Sequence, residues 1–206
     1  MRKIRILIAD DHAIVRMGLS ALFESDSGLE VVGEAEDGAT AVAETIRLRP
    51  DVVTMDLMMP GLDGAAATAA IREKAPESKV LLLTTFGTSD GIAHALSAGA
   101  AGALMKNAAN ADLLKAVHDI ATGGHPVSDS VRQLLSEDPP ARELTDKQRK
   151  ILLSIVRGLT NREIALEFGI SPNVVKGHLN AIFSKIGAAN RTEAVAIALR
   201  KHLLKI

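Results

Sequence analysis

No cysteine, tryptophan or tyrosine occurs among the 206 residues, and phenylalanine occurs four times. The absence of cysteine excludes disulfides, thiolate metal sites and cysteine nucleophiles, and with them the small secreted scaffolds that disulfides hold together. Aromatics make up 2% of a chain that is 47% apolar, so any core must be built from Ala, Val, Ile and Leu, which suits close packing of helices on a sheet. A long apolar run is also missing. The opening MRKIRILIADD meets carboxylates after about seven apolar-rich positions, too few for a signal-peptide core or a spanning helix. A soluble, cytoplasmic chain with no membrane partner is expected.

What is present divides by charge. The overall balance of −1 conceals 12 Lys+Arg and 5 Asp+Glu in residues 141–206, against 12 and 20 in the first 140. An acidic first part and a basic last part suit a cation-binding or regulatory module tethered to a binder of polyanions. The length fits two ordinary domains.

From the first residue to about 122, short apolar runs alternate with amphipathic stretches. Ile4–Ile8, Leu29–Val32, Val52–Met55, Val80–Leu83 and Ala100–Met105 read as buried strands, each bounded by Gly, Pro, Asp or Ser. Helical periodicity lies between and after them, at about 13–24, 39–48, 64–74, 89–97 and 109–121. Five strand–helix repeats predict an α/β domain over 1–122: a five-stranded parallel, doubly wound, flavodoxin-like sheet with helices on both faces. Residues 123–142, with GGHP at one end and EDPPAR at the other, read as a linker in which Val131, Leu134 and Leu135 allow one or two helical turns. From 143 to 206 a small all-α domain of four helices is expected. Their openings carry capping signatures at Thr145 (with Gln148), Thr160 (with Glu163), Ser171 (before Pro172) and Asn190 (with Glu193). Gly158, Gly169 and Gly187 stand where helices must end.

In an open parallel sheet, ligands bind beyond the carboxyl ends of the strands. Asp10 and Asp11 follow the first strand, Asp56 the third, Thr84 and Thr85 the fourth, and Lys106 the fifth. A lone Asp after a strand is ordinarily a turn or cap residue. Suitable groups on successive strand ends are another matter, because carboxylates there can hold Mg²⁺, a hard cation that pairs carboxylates with phosphate oxygens. A nearby hydroxyl and ammonium would hydrogen-bond and neutralise a phosphoryl group on the third carboxylate.

ADDH at 9–12, DLMMPGLDG at 56–64, LLLTTF at 81–86 and the apolar run into Lys106 resemble the receiver domain family over residues 1–122. The resemblance implies that Asp56 is the phosphoacceptor, that Asp10, Asp11, Asp56 and the Met58 carbonyl ligate Mg²⁺, that Thr84 is the switch hydroxyl and that Lys106 binds the phosphoryl group. Thr85 competes for the switch role, but spacing to Lys106 favours Thr84. Two departures stand out. Ala103 occupies the place, three before the lysine, where the family often has an aromatic residue, so an aromatic rotamer switch is excluded. Asn107 replaces the frequent proline, and a cis peptide there is not assumed.

In the last part, helices near 161–168 and 172–186 joined through Gly169 fit a helix-turn-helix. Val175, Leu179, Ile182 and Ile186 form one apolar stripe of the second helix. Helical geometry then puts Asn173, Gly177, Asn180 and Ser184 on the opposite face, with Lys176 and Lys185 on its flanks. Small amides and lysines on such a face can approach the groove of double-stranded DNA. His178 falls at the border of core and surface, and the six histidines show no ligand-like pairing, so no metal besides Mg²⁺ is indicated.

Residues 143–206, through NREIA and VKGHL, resemble the LuxR-type output domain of the NarL/FixJ response regulators. This implies a recognition helix at 172–186 with Lys176, Gly177 and Asn180 toward bases, a last helix that makes a dimer contact, and a homodimer on DNA. Gln148 replaces a usual Glu and Val174 a usual Thr. Together the two resemblances imply a two-component response regulator, not an enzyme, whose phosphorylation by a sensor histidine kinase controls dimerisation and sequence-specific DNA binding to regulate transcription. A haloacid-dehalogenase-like phosphatase is the enzymatic alternative, and Met58 stands where its second aspartate belongs. A constitutive DNA binder with the receiver as a dimerisation module is the other.

Overall fold

A computed structural model of the chain describes residues 2–85, 89–137, 144–200 and 203–204, with Arg200 by its backbone alone. Phe86 of the LLLTTF motif, residues 138–142 of the predicted linker, Glu143 at the start of the predicted second domain and residues 201, 202, 205 and 206 lie outside that description. The chain separates into two compact units, Met1–Asp138 and Pro139–Ile206.

The first unit alternates β1 (Ile4–Ala9), α1 (Ala13–Glu24), β2 (Leu29–Ala35), α2 (Gly38–Leu48), β3 (Val52–Asp56), α3 (Gly64–Lys74), β4 (Lys79–Thr84), α4 (Ser89–Ser97), β5 (Gly102–Met105) and α5 (Asn110–Ala121). The five strands are parallel in the order β2-β1-β3-β4-β5. Because side chains alternate across a strand, the sheet feeds two cores. Leu7, Val53, Met55, Val80, Leu82 and Ala103 form one with Ala67 and Ile71 of α3 and Ile92 and Ala95 of α4. Ile6, Ile8, Val52, Leu81, Leu83 and Leu104 form the other with Phe23 of α1 and Leu113, Val117 and Ile120 of α5. Burial on both faces is why β3 and β4 read as apolar runs, whereas edge strand β2 is buried only at Leu29 and Ala35.

Local chemistry sets the helix starts. Asp37 caps α2 through the Thr40 amide, and Asp63 caps α3 through the Ala66 amide at 2.8 Å. Gly64, the last residue of DLMMPGLDG, begins α3 in contact with β3: a Cβ there would stand 2.1 Å from the Asp56 carbonyl oxygen. Only glycine lets the helix start so close beneath Asp56.

The stretch that reads as a linker is folded as far as Glu137. Its first turns lead to a nine-residue helix, α6 (Asp129–Glu137), whose Val131 is fully buried in the same core as Ala103. The segment before it pairs with the edge of β5 through a parallel bridge, Ala103 to Val127.

The second unit holds α7 (Asp146–Val156), α8 (Asn161–Phe168), α9 (Pro172–Ile186) and α10 (Arg191–Arg200). Two of the three expected pairings with Glu or Gln close as capping boxes, Thr145 with Gln148 and Thr160 with Glu163. Ser171 caps α9 ahead of Pro172, and the Asn190 side chain accepts from the Glu193 amide. Gly169 and Gly187 end α8 and α9 in the left-handed region, at φ 63° and 75°. Val175, Leu179, Ile182 and Ile186 are buried together with Ile151, Leu152, Ile155, Ile164 and Ala194.

Candidate functional site

Parallel strands bring their carboxyl ends to one edge of the sheet, and Asp10, Asp56, Thr84 and Lys106 follow or end β1, β3, β4 and β5 there. Asp10, Asp56 and Thr84 are 1%, 4% and 1% exposed. The Lys106 ammonium reaches back between the acids, 2.5 Å from Asp10 Oδ2 and 2.9 Å from Asp56 Oδ2. Asp11 is exposed, its Oδ1 2.7 Å from His12 Nδ1, and the His12 amide donates to Asp10 Oδ1 at 3.0 Å. Ligand atoms of Asp10, Asp11, His12 and Asp56 all lie within 4.8 Å of one another.

Burial dominates the electrostatics. It pushes the Asp56 carboxyl above the ordinary aspartate range, and the Asp10 charge adds to the effect; the hydrogen bond and charge of Lys106 and the Met58 amide oppose it without cancelling it. Burial pulls Lys106 down, yet its hydrogen bonds to Asp10 and Asp56 and their charges outweigh that, and the amine stays protonated above its usual range. Two buried acids against one lysine leave a surplus of negative charge, which a cation would relieve. The carboxylate oxygens are the hard donors Mg²⁺ takes.

Thr84 and Thr85 are separated by the fold. Thr85 is exposed, whereas Thr84 is buried and its carbonyl accepts from the Lys106 amide at 2.8 Å. The Thr84 Oγ1 has no hydrogen-bond partner among the described residues. A buried hydroxyl without a partner costs roughly 1–3 kcal/mol, and an oxygen-rich group arriving between Asp56 and Lys106 would supply one. Met58 is half exposed, and its amide donates to the Asp56 carboxylate.

Two neighbours of this cluster do not emerge from strand-end reasoning. His12 stands within the ADDH motif but reads there as the residue after the acids. Arg16 donates from its guanidinium to the Asp10 carbonyl at 2.8 Å and pairs with Glu34 at 3.1 Å. No local signal in α1 announces that contact, because Glu34 comes from β2.

In the second unit, Asn173, Lys176, Gly177, Asn180 and Ser184 of α9 are exposed on one face, opposite its buried stripe. Gly177 leaves open space where a Cβ would stand. Lys147, Lys150, Arg157 and Arg162 are exposed as well, so the unit carries its positive charge outward. Lys185 differs from the other flank residue, Lys176. It is half buried, and its ammonium donates to Gln148 Oε1 at 3.0 Å, the oxygen that also accepts from the Thr145 amide in the cap of α7. His178 is half buried, at the border of core and surface.

Residues 6–118 match the family described as response regulator receiver domain, and residues 142–198 match bacterial regulatory proteins of the luxR family. Transcriptional regulatory protein LiaR of Bacillus subtilis is 37% identical over 210 residues, covering 98% of this chain and 99% of that protein. Response regulator protein VraR of Staphylococcus aureus is 35% identical over 207 residues, with 98% and 99% covered. Among solved structures, the response regulator ChrA of a heme-sensing two-component system matches with a TM-score of 0.61 and 36% identity over 99% of this chain and 100% of that one. RcsB of Salmonella enterica serovar Typhimurium, bound to promoter P1flhDC in the presence of phosphomimetic BeF3-, matches with a TM-score of 0.73 and 26% identity over 95% and 98%.

Proposed function

Since the chain belongs to the response regulators that join a receiver domain to a LuxR-type DNA-binding domain and regulate transcription, we propose that it is switched by phosphorylation of Asp56 by a sensor histidine kinase. The observation that carries this reading is the convergence of Asp10, Asp11, Asp56, Lys106 and the buried Thr84 hydroxyl, unpartnered among the described residues, at one edge of the sheet. An Asp56 oxygen attacks the phosphorus of a phosphohistidine. The new P–O bond gives an acyl phosphate, the P–N bond breaks, and the imidazole leaves with a proton. Lys106 neutralises a phosphoryl oxygen and Thr84 donates its hydroxyl to another. Asp10, Asp11, Asp56 and the Met58 carbonyl would hold Mg²⁺, which when bound offsets negative charge on the phosphoryl oxygens. The Lys106 bridge to Asp56 loosens as the carboxylate turns to the phosphoryl donor.

The receiver domain is assigned to residues 1–122 and the DNA-binding domain to 143–206, with 123–142 between. Among the described residues no helix is long and apolar enough to cross a membrane, and the chain is assigned to the cytoplasm. Phosphorylation favours a homodimer on double-stranded DNA, with Asn173, Lys176, Gly177, Asn180 and Lys185 of α9 as the contacting residues. Phosphate-affinity electrophoresis with acetyl phosphate and Mg²⁺ tests the first step: wild type shifts and Asp56→Asn does not. Equal labelling of both proteins overturns it. Analytical ultracentrifugation tests the second, through tighter self-association of the phosphorylated chain.

A further inference from the structure

His12 stands at the N-cap position of α1, where Ser, Thr, Asp or Asn would bond an amide of the first turn. Its side chain caps no α1 amide. The ring turns instead to the carboxylates: Nδ1 lies 2.7 Å from Asp11 Oδ1 and 3.5 Å from Asp10 Oδ1. Backbone contacts hold the residue in that place. The His12 amide donates to Asp10 Oδ1 at 3.0 Å, its carbonyl accepts from the Val15 and Arg16 amides, and the Arg16 guanidinium donates to the Asp10 carbonyl at 2.8 Å. The imidazole side chain is 65% exposed, so burial in a core does not account for where it sits.

We propose that His12 is a nitrogen ligand of the cation site and gives that site a preference for a first-row transition ion, Mn²⁺, over Mg²⁺. The inference rests on the reading above that Asp10, Asp11 and Asp56 hold a divalent cation. Ligand atoms of the three acids and His12 lie within 4.8 Å of one another. Metal–nitrogen and metal–oxygen bonds are about 2 Å long, so opposite ligands of one ion stand about 4 Å apart, and a small movement of an exposed ring closes the difference. The buried Thr84 hydroxyl, without a partner among the described residues, marks the same edge of the sheet as a place for a ligand. Donor chemistry then sets the preference. Mg²⁺ takes oxygen and dehydrates reluctantly, so it leaves the imidazole aside. First-row transition ions bind carboxylates and accept imidazole nitrogen as well. For such an ion Nδ1 gives up its hydrogen bond to Asp11, the ring proton sits on Nε2, and both groups turn their lone pairs to the metal.

Pulsed electron paramagnetic resonance of the full chain with substoichiometric Mn²⁺ reads the ligand directly. A competition titration against Mg²⁺ reads the preference, and phosphate-affinity electrophoresis after addition of acetyl phosphate reports labelling of Asp56. Wild type should show a nitrogen modulation that changes when heavy-isotope nitrogen is placed in histidine alone, and His12→Gln should lose it. The ratio of Mn²⁺ to Mg²⁺ affinity should fall about tenfold in His12→Gln, the scale on which loss of even an outer-shell partner weakens a metal site. His12→Asn, whose side chain suits the N-cap, should show the same losses in a chain whose α1 is capped at least as well. Mn²⁺ bound without a histidine nitrogen signal, or a wild-type affinity ratio in both variants, would overturn the ligand, and labelling of Asp56 in those samples would leave the phosphorylation site standing. A histidine signal with Asp56 unlabelled would keep the ligand and overturn the phosphorylation. Wild type that binds no Mn²⁺ would overturn the cation site and the ligand with it.

Discussion

Lys106 Nζ lies 2.9 Å from Asp56 Oδ2, and both side chains are more than nine-tenths shielded from solvent. The same ammonium holds Asp10 at 2.5 Å. Removing one member of a buried ion pair leaves an uncompensated charge and costs about 3 kcal/mol or more. Lys106→Met is therefore expected to lose about that much stability in metal-free buffer, because two acids then face each other. Millimolar Mg²⁺ should restore part of it. Urea unfolding with and without the metal checks both, and an unchanged midpoint in metal-free buffer contradicts the bridge.

Replacing the acid has the opposite sign. Burial raises the pKa of Asp56, so the folded state binds this proton more readily than the unfolded state and ionised Asp56 costs stability. The cost is fully present above the folded pKa and vanishes below the unfolded value. Asp56→Asn should be more stable than wild type at neutral pH without metal, and the difference should shrink as pH falls through the folded pKa toward the ordinary aspartate range. Thermal unfolding of both proteins across that window measures it; a difference that grows toward acid reverses the sign.

Asp11 is exposed and, among the described residues, pairs with the neighbouring His12, so its loss should spare the fold. Asp11→Ala is expected to melt within about 0.5 kcal/mol of wild type, as surface substitutions do, yet to lose Mg²⁺-dependent labelling by acetyl phosphate. Normal labelling kinetics at unchanged melting would remove Asp11 from the metal site.

On α9, Asn180 and Lys176 are both exposed but carry different chemistry. A residue that reads a base discriminates by about 1–3 kcal/mol, whereas a phosphate contact weakens all sequences alike and lowers the salt slope by about one ion. Asn180→Ala should flatten preference at one or two operator positions. Lys176→Ala should lower affinity, and a salt titration then assigns it to base or phosphate. Wild-type affinity and preference in both variants would mean that another face meets the DNA.

The strands and most helix boundaries were legible because their causes are local. Five short apolar runs, four of them largely buried and β2 at the half-exposed edge, need no distant partner to be recognised, and Thr145, Thr160 and Ser171 announce their helices through a side chain and an amide three residues on. Strand-end placement likewise assembled Asp10, Asp56, Thr84 and Lys106, since a parallel sheet sends all carboxyl ends to one edge. Long-range pairing was not legible. DSVRQLLSE is largely polar and reads as a turn or two; its burial depends on a small residue at Ala103 and on the open edge of β5. Lys185 sits on the flank of a helical wheel, but only the packing of α7 on α9 reveals that Gln148 holds it. The pairing of Arg16 with Glu34 of β2 is hidden for the same reason.

The pairing of Val127 with the edge of β5 also bears on how the protein is made. Sixteen residues separate Ala121, where α5 ends, from Glu137, where α6 ends. At about 5–20 residues per second, a ribosome needs about 1–3 s to synthesise them. They leave the ribosome at the same pace, and between the emergence of β5 and that of α6 a sheet with all five strands has an unpaired edge at Ala103, the kind of template on which a second chain can add a strand. Codon usage that slows translation while GGHPVSDSV emerges would lengthen the exposure, and faster synthesis at that point would shorten it.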